Sequence, residues 1–229
     1  AAWTSGTTLG TAPIKLGVGG NSLILNNLIT NFANGNHSTA MGYGTRASGN
    51  YSTAMGSNTT ATGVYSTAMG QGTEASGNNS TAIGYGSSAV GISSFAGGGN
   101  EDVNVGGEAK GNNSIAFGDT AIAATASFAL GNGTKAGVDN GGSQVGTGAV
   151  AVGNQTHAEG SNSFASGTGT FASGNSSTAM GSGSSATGDR SFAAGVSCGA
   201  SGNNSVALGQ SSVASGFSSV AIGDYVDAI

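Results

Sequence analysis

Few side chains in this sequence could do chemistry. His37 and His157 are the only histidines, and histidine is the residue that titrates near neutral pH and most often ligates metals. Some nine repeats separate them, and both are expected as exposed residues at surface corners. Cys198 is the single cysteine. In the repeat described below it stands where other coils have Ser or Thr, so it reads as a small interior residue and not a reactive thiol. Glu101, Asp102 and Glu108 offer oxygen donors that could hold Ca²⁺ weakly. No "GGxGxD" motif accompanies them, so a solvated loop is the expected reading. The Gly runs lack the Lys-Ser/Thr that a phosphate loop needs after a strand–Gly–helix pattern. Sequons such as Asn50-Tyr51-Ser52 recur because Asn and Ser favour corners. The expectation is a protein with no catalytic residue, no metal and no cofactor.

Composition narrows the class. Gly accounts for 45 of 229 residues and charged residues for 7%, against roughly a quarter charged in ordinary domains. Hydrophobic residues make up 37%, too many for a disordered chain. Ala is the commonest of them, so a core of large side chains is not available. A single Pro excludes collagen. The net charge of −5, with five basic residues, argues against nucleic acid or anionic membrane as a partner. No run of 18 apolar residues occurs, so no helical span and no membrane contact by this segment is expected. The chain does not start with Met and shows no signal peptide, which suggests a mature piece or an excised domain.

The elements that position these residues follow from an internal repeat. Eight windows of 14 residues, starting at Gly35, Gly49, Gly63, Gly77, Gly160, Gly174, Gly188 and Gly202, align without gaps. With that Gly as offset 0, offset 3 is Ser, offset 5 is Ala, offset 7 is Gly, offset 10 is Thr, Ser or Cys, and offset 12 is Ala. A gap of two keeps side chains on one face of a strand; a gap of three marks a corner. Each coil is then two short strands and two tight corners, and successive coils stack their strands in parallel. The predicted fold is all-β, a parallel β-solenoid of 14-residue coils. The fixed small residues should all point into a thin slot between the two sheets, where any larger side chain is penalised.

The alternate positions should point outward. On the second strand they are mostly polar, as in Arg46, Thr60 and Glu74, and should face water. On the first strand they form an apolar stripe: Met41, Met55, Met69, Ile83, Ile115, Phe117, Phe128, Leu130, Val150, Val152, Phe164, Met180, Phe192, Val206, Leu208, Val220 and Ile222. A stripe of this length is not stable as a monomer surface, so it is the expected interface between chains.

Residues 1–34 read as an N-terminal cap with an imperfect first coil at Ser22, since solenoids need atypical end coils. Residues 35–223 are the coils, and 224–229 leave the pattern. Insertions near 97–110 and 137–148 should leave as surface loops. Loops on a rigid scaffold concentrate binding residues, so Glu101, Asp102, Glu108 and Lys110 in the first and Asp139, Asn140 and Gln144 in the second are the candidate ligand contacts.

"NSTAIG" at 79–84, "NSIAFG" at 113–118 and "NSVALG" at 204–209 resemble the Asn-Ser-Val-Ala-Ile-Gly head motif of YadA-like trimeric autotransporter adhesins. The resemblance covers roughly residues 20–223. It implies a left-handed parallel β-roll, with three chains packed into a trimeric head. It also implies display from the outer membrane of a Gram-negative bacterium, attachment to host matrix or cell-surface proteins such as collagen or fibronectin, and autoaggregation. The "STAMG" coils depart from the motif by placing Thr and Met where it has Val and Ile. An ice-binding solenoid is the alternative: Thr39, Thr53, Thr67 and Thr81 form one exposed rank, although Phe95 ends it. A left-handed β-helix acyltransferase would need a six-residue period, which is absent.

Overall fold

The structure, a computed structural model, describes residues 31–99, 105–139 and 141–229, and the backbone alone of 14–16 and 23–25. The chain forms two compact units, 1–113 and 114–229. Both are parallel β-solenoid.

In the first unit the long strands Leu23–Leu25, Thr39–Tyr43, Thr53–Ser57, Thr67–Gln71, Thr81–Tyr85 and Phe95–Gly98 pair in parallel, each with the next. The register matches like with like: Thr39 faces Thr53, and Met41 faces Met55. Short strands from Phe32–Ala33 to Glu108–Ala109 build the second sheet in the same manner. Ile14–Leu16 lies antiparallel to Leu23–Leu25. In the second unit the long strands run from Ile115–Phe117 to Val220–Asp224. Its short strands run from Ile122–Ala123 to Asp227–Ala228. The tail outside the repeat pattern thus adds one more short strand, paired with Val213–Ala214.

The slot is filled as the spacing predicts at four of the fixed positions. Coil after coil buries two Ala, such as Ala40 and Ala47, at 0% exposure, while the last buries Ala221 alone. In the first unit the buried Ser turns its hydroxyl to the corner: Ser38 Oγ donates to the Gly35 carbonyl at 2.7 Å, and Ser52, Ser66 and Ser80 repeat this, whereas in the second unit the hydroxyls of Ser177, Ser191 and Ser205 are buried without a partner. At the other polar position, Ser184 Oγ donates to the Gly195 carbonyl one coil on, at 3.0 Å. The Thr hydroxyls of that rank, at Thr45, Thr59, Thr73, Thr156 and Thr170, are buried with no hydrogen-bond partner. A buried unsatisfied hydroxyl costs about 1–3 kcal/mol.

The second Gly of the coil departs from expectation. Gly56 and Gly70 are exposed, not inside the slot. What fixes Gly56 is its φ of +122°, together with a Cβ position only 1.9 Å from the Gly70 carbonyl oxygen. Stacking on the next coil, and not slot width, demands glycine there.

Both insertions are shorter than the sequence suggests. Glu108–Ala109 pairs with Ser88–Ala89 and Ala109 is fully buried, so Glu108 and Lys110 sit in the lattice and not in the loop. Residues 100–104 lie outside the described residues. In the second insertion Gly146 returns to the corner, its Cβ position 2.3 Å from the Glu159 carbonyl oxygen. The extra segment folds on itself: Val138 bridges Gln144, and Ser143 N–H donates to Asp139 Oδ1 at 2.8 Å. Val138 is fully buried, the largest side chain so placed among the described residues.

Candidate interaction surfaces

Exposed residues on the long-strand sheets are the first candidate. In the first unit Met41, Met55, Met69 and Ile83 stand in one register, beside the rank Thr39, Thr53, Thr67, Thr81. The Met–Ile rank ends at the buried Gly97, and the Thr rank at Phe95. In the second unit one outward rank is Ile115, Phe128, Val150 and Phe164, then Phe192, Val206 and Val220 after a single Thr178, and beside it stand Phe117, Leu130, Val152, Met180, Leu208 and Ile222, interrupted by Ser166 and Ala194. All are half-buried or exposed in the single chain; Phe117 is 44% and Ile222 62% exposed. Since all are already partly covered, each would gain only part of the about 1.5–3 kcal/mol that burying a fully exposed apolar side chain is worth.

The loop residues are placed unevenly. Glu101, Asp102 and Asn140 lie outside the described residues. Glu108 and Lys110 form an ion pair at 3.5 Å on the short-strand sheet. Asp139 is held in the turn of the second insertion, and Gln144 is exposed on it. Gln144 lines a shallow open depression of about 360 Å³ with Val145, Gly146, Thr147 and Ser161.

One cluster has no counterpart in the sequence reading. His157 is not an exposed corner residue. It lies half-buried on a short strand, between Lys135 and Phe171 in register, with its ring tilted at 50° to that of Phe171, centroids 5.8 Å apart. With Gly133, Gln155, Gly169 and Thr170 these three line a shallow trough. His157 Nδ1 is 3.9 Å from Glu159 Oε1, yet burial and Lys135 lower the His157 pKa, and burial and then Asp139 raise that of Glu159. Both shifts disfavour the charged forms, so this contact is not an effective ion pair. The signal was available: Lys135, His157 and Phe171 share one repeat offset. Among the described residues no three His, Cys, Asp or Glu side chains gather as a metal site. Cys198 is buried, its Sγ 3.1 Å from the Gly209 carbonyl oxygen, in the interior rank.

These features define a coil-stacked solenoid whose outer faces, more than any enclosed cleft, are available for recognition. The family model described as YadA head domain repeat (2 copies) matches residues 33–59, 61–87, 109–134, 145–170, 172–196 and 200–225. These segments cover well over half of the sequence, and the chain belongs to the YadA head family. The matches skip 88–108 and 135–144, the stretches that contain the extra segments. Comparison with curated proteins returned no match. The family is one of surface-displayed trimeric autotransporter adhesin heads, not of enzymes, and it does not favour the ice-binding alternative.

Proposed function

We propose that this chain is the head of a trimeric autotransporter adhesin, displayed from the outer membrane of a Gram-negative bacterium. In this reading it attaches the cell to a host extracellular-matrix or cell-surface protein of the collagen or fibronectin kind and supports autoaggregation. The observation that carries the reading is the in-register apolar rank on the long-strand sheets, joined to the family match. Three copies would bury these ranks against one another and leave the short-strand sheets to water. The ligand contacts in this proposal are Glu101, Asp102, Asp139, Asn140 and Gln144, joined by Glu108 and Lys110 from the coil lattice. Three-fold repetition of either group of residues, taken separately, adds avidity without any new contact.

Light scattering on the purified protein should give three times the chain mass; a folded monomer at micromolar concentration would sink the proposal of a trimer. A binding screen of the assembled head against collagens, fibronectin and laminin identifies the ligand. Cutting residues 138–145, which lie outside the coil lattice, should then weaken binding at least tenfold, about 1.4 kcal/mol. Unchanged affinity would move the ligand site away from this loop.

A further inference from the structure

The corner before each long strand repeats one backbone shape with varied side chains. The residue preceding the buried Ser is left-handed in coil after coil, with φ of 56° at Asn79, 55° at Asn113 and 60° at Asn204. Asn is among the residues that region accepts best. Three successive coils place rings there instead: His37, Tyr51 and Tyr65, at φ of 56°, 58° and 57°. A Tyr in this region is uncommon, and such an outlier motivates a hypothesis of function. Arg190 is a further bulky occupant, but it stands without ring neighbours.

The rings form a ladder. His37 stacks on Tyr51 with centroids 5.0 Å apart and planes within 6°, and Tyr51 on Tyr65 at 4.8 Å and 9°. All three are exposed, Tyr51 by 49% and Tyr65 by 58%. Beyond Tyr65 the same position shrinks to Asn79 and then Ser93, both exposed. The ladder therefore ends on a ring whose outer face looks over short polar side chains. The neighbouring corner residues Asn50, Val64 and Asn78 carry no charge.

An aromatic face beside amide and hydroxyl groups, with no ionic group, matches a sugar ring. The C–H face of a pyranose packs on the ring and its hydroxyls meet the amides, the usual division between apolar body and few orienting polar groups. We propose that Tyr65, backed by Tyr51 and His37, is the stacking platform for a terminal pyranose of a neutral glycan, which extends the ladder by one rung over Asn79. This site uses no residue of either insertion and does not depend on which protein they bind.

Saturation-transfer NMR tests it on the assembled protein, with neutral oligosaccharides ending in galactose, glucose or N-acetylglucosamine at millimolar concentration. Transfer to the ring protons of one terminal sugar is expected. Tyr65→Asn installs the residue found one coil on, so it should stay assembled and melt no lower than wild type, while affinity falls at least tenfold. Tyr65→Phe should keep most of the affinity. The proposal is overturned if none of these sugars shows transfer, or if Tyr65→Asn binds as wild type does. It is equally overturned if a proline-rich collagen-like peptide perturbs Tyr65 where the sugars do not, or if Tyr65→Asn dissociates the assembly, which would make the ladder a contact between copies.

Discussion

On the long-strand sheet of the first unit the outward rank reads Met41, Met55, Met69, Ile83. On the short-strand sheet of the same coils it reads Arg46, Thr60, Glu74, Ser88. Both ranks stand on one backbone and back onto one interior of buried Ala. The interior of the coils is so narrow that its ranks accept only small side chains, Ala, Ser, Thr or Cys. The exterior answers to no such constraint, so the two faces are free to differ, and what the protein does is written there. Interior changes should harm both faces together, and exterior changes should be specific to one.

The largest effects should come from the stacking positions. Gly56→Ala puts a Cβ 1.9 Å from a backbone oxygen of the next coil, whereas Gly72→Ala, at φ +64°, meets nothing within 4 Å. The first should cost about 3 kcal/mol or more, the second about 1–2 kcal/mol for the left-handed backbone alone. Denaturant melts compare them, and equal losses would refute the stacking argument. Assembly should separate the two faces next. Met55→Asp would bring like charges together at low dielectric, while Thr60→Asp leaves its carboxylate in water. Trimer dissociation by light scattering should be far greater for Met55→Asp; equal dissociation would mean the wrong sheet is assigned to the interface.

A smaller effect lies inside. Thr73→Val replaces an unsatisfied hydroxyl by a methyl of the same shape, so stability should rise by about 1 kcal/mol. A loss of that size would show that the hydroxyl finds a partner in solution. The smallest effect concerns the short-strand sheet of the second unit. Burial, then Asp139, raises the Glu159 pKa above 4.5, with Lys135 opposing. Folding thus favours its protonated form, a contribution present below pH 4.5 and lost as pH rises through the raised value. Burial, then Lys135, lowers the His157 pKa below 6.5, so its contribution is present above pH 6.5 and lost as pH falls. Glu159→Gln should gain slightly on wild type as pH rises above 4.5, and His157→Asn should gain slightly as pH falls below 6.5. Thermal melts across pH 4–8 test both, and parallel curves for wild type and variants would remove the assignment.

Much of this was legible in the sequence, because a repeat that buries the same atoms in every coil must spell the same letters. The Ser and Ala ranks gave the two strands, the slot and the sheet register directly. The second Gly misled, since glycine is silent on whether width, φ or a neighbouring carbonyl requires it. The insertions were over-drawn because "EAKG" at 108–111 looks irregular, although it keeps Ala and Gly at their lattice offsets. The aromatic ladder and the Lys135–His157–Phe171 rank were missed for another reason. Their offsets change residue type from coil to coil, so no fixed letter marks them as a rank, although stacking makes their members neighbours.

The Gly-to-Gly stacking has a consequence for how such a molecule changes over generations. Each coil presents to its successor the same corner carbonyl that it receives from its predecessor. Duplicating or deleting one coil therefore creates no junction that the lattice lacks. A gene segment of 14 codons becomes a unit of reach, about 4.8 Å for each copy gained or lost. Recombination between near-identical repeats could lengthen or shorten the protein in single steps, leaving its fold unchanged while resetting how far from the cell its binding surfaces stand.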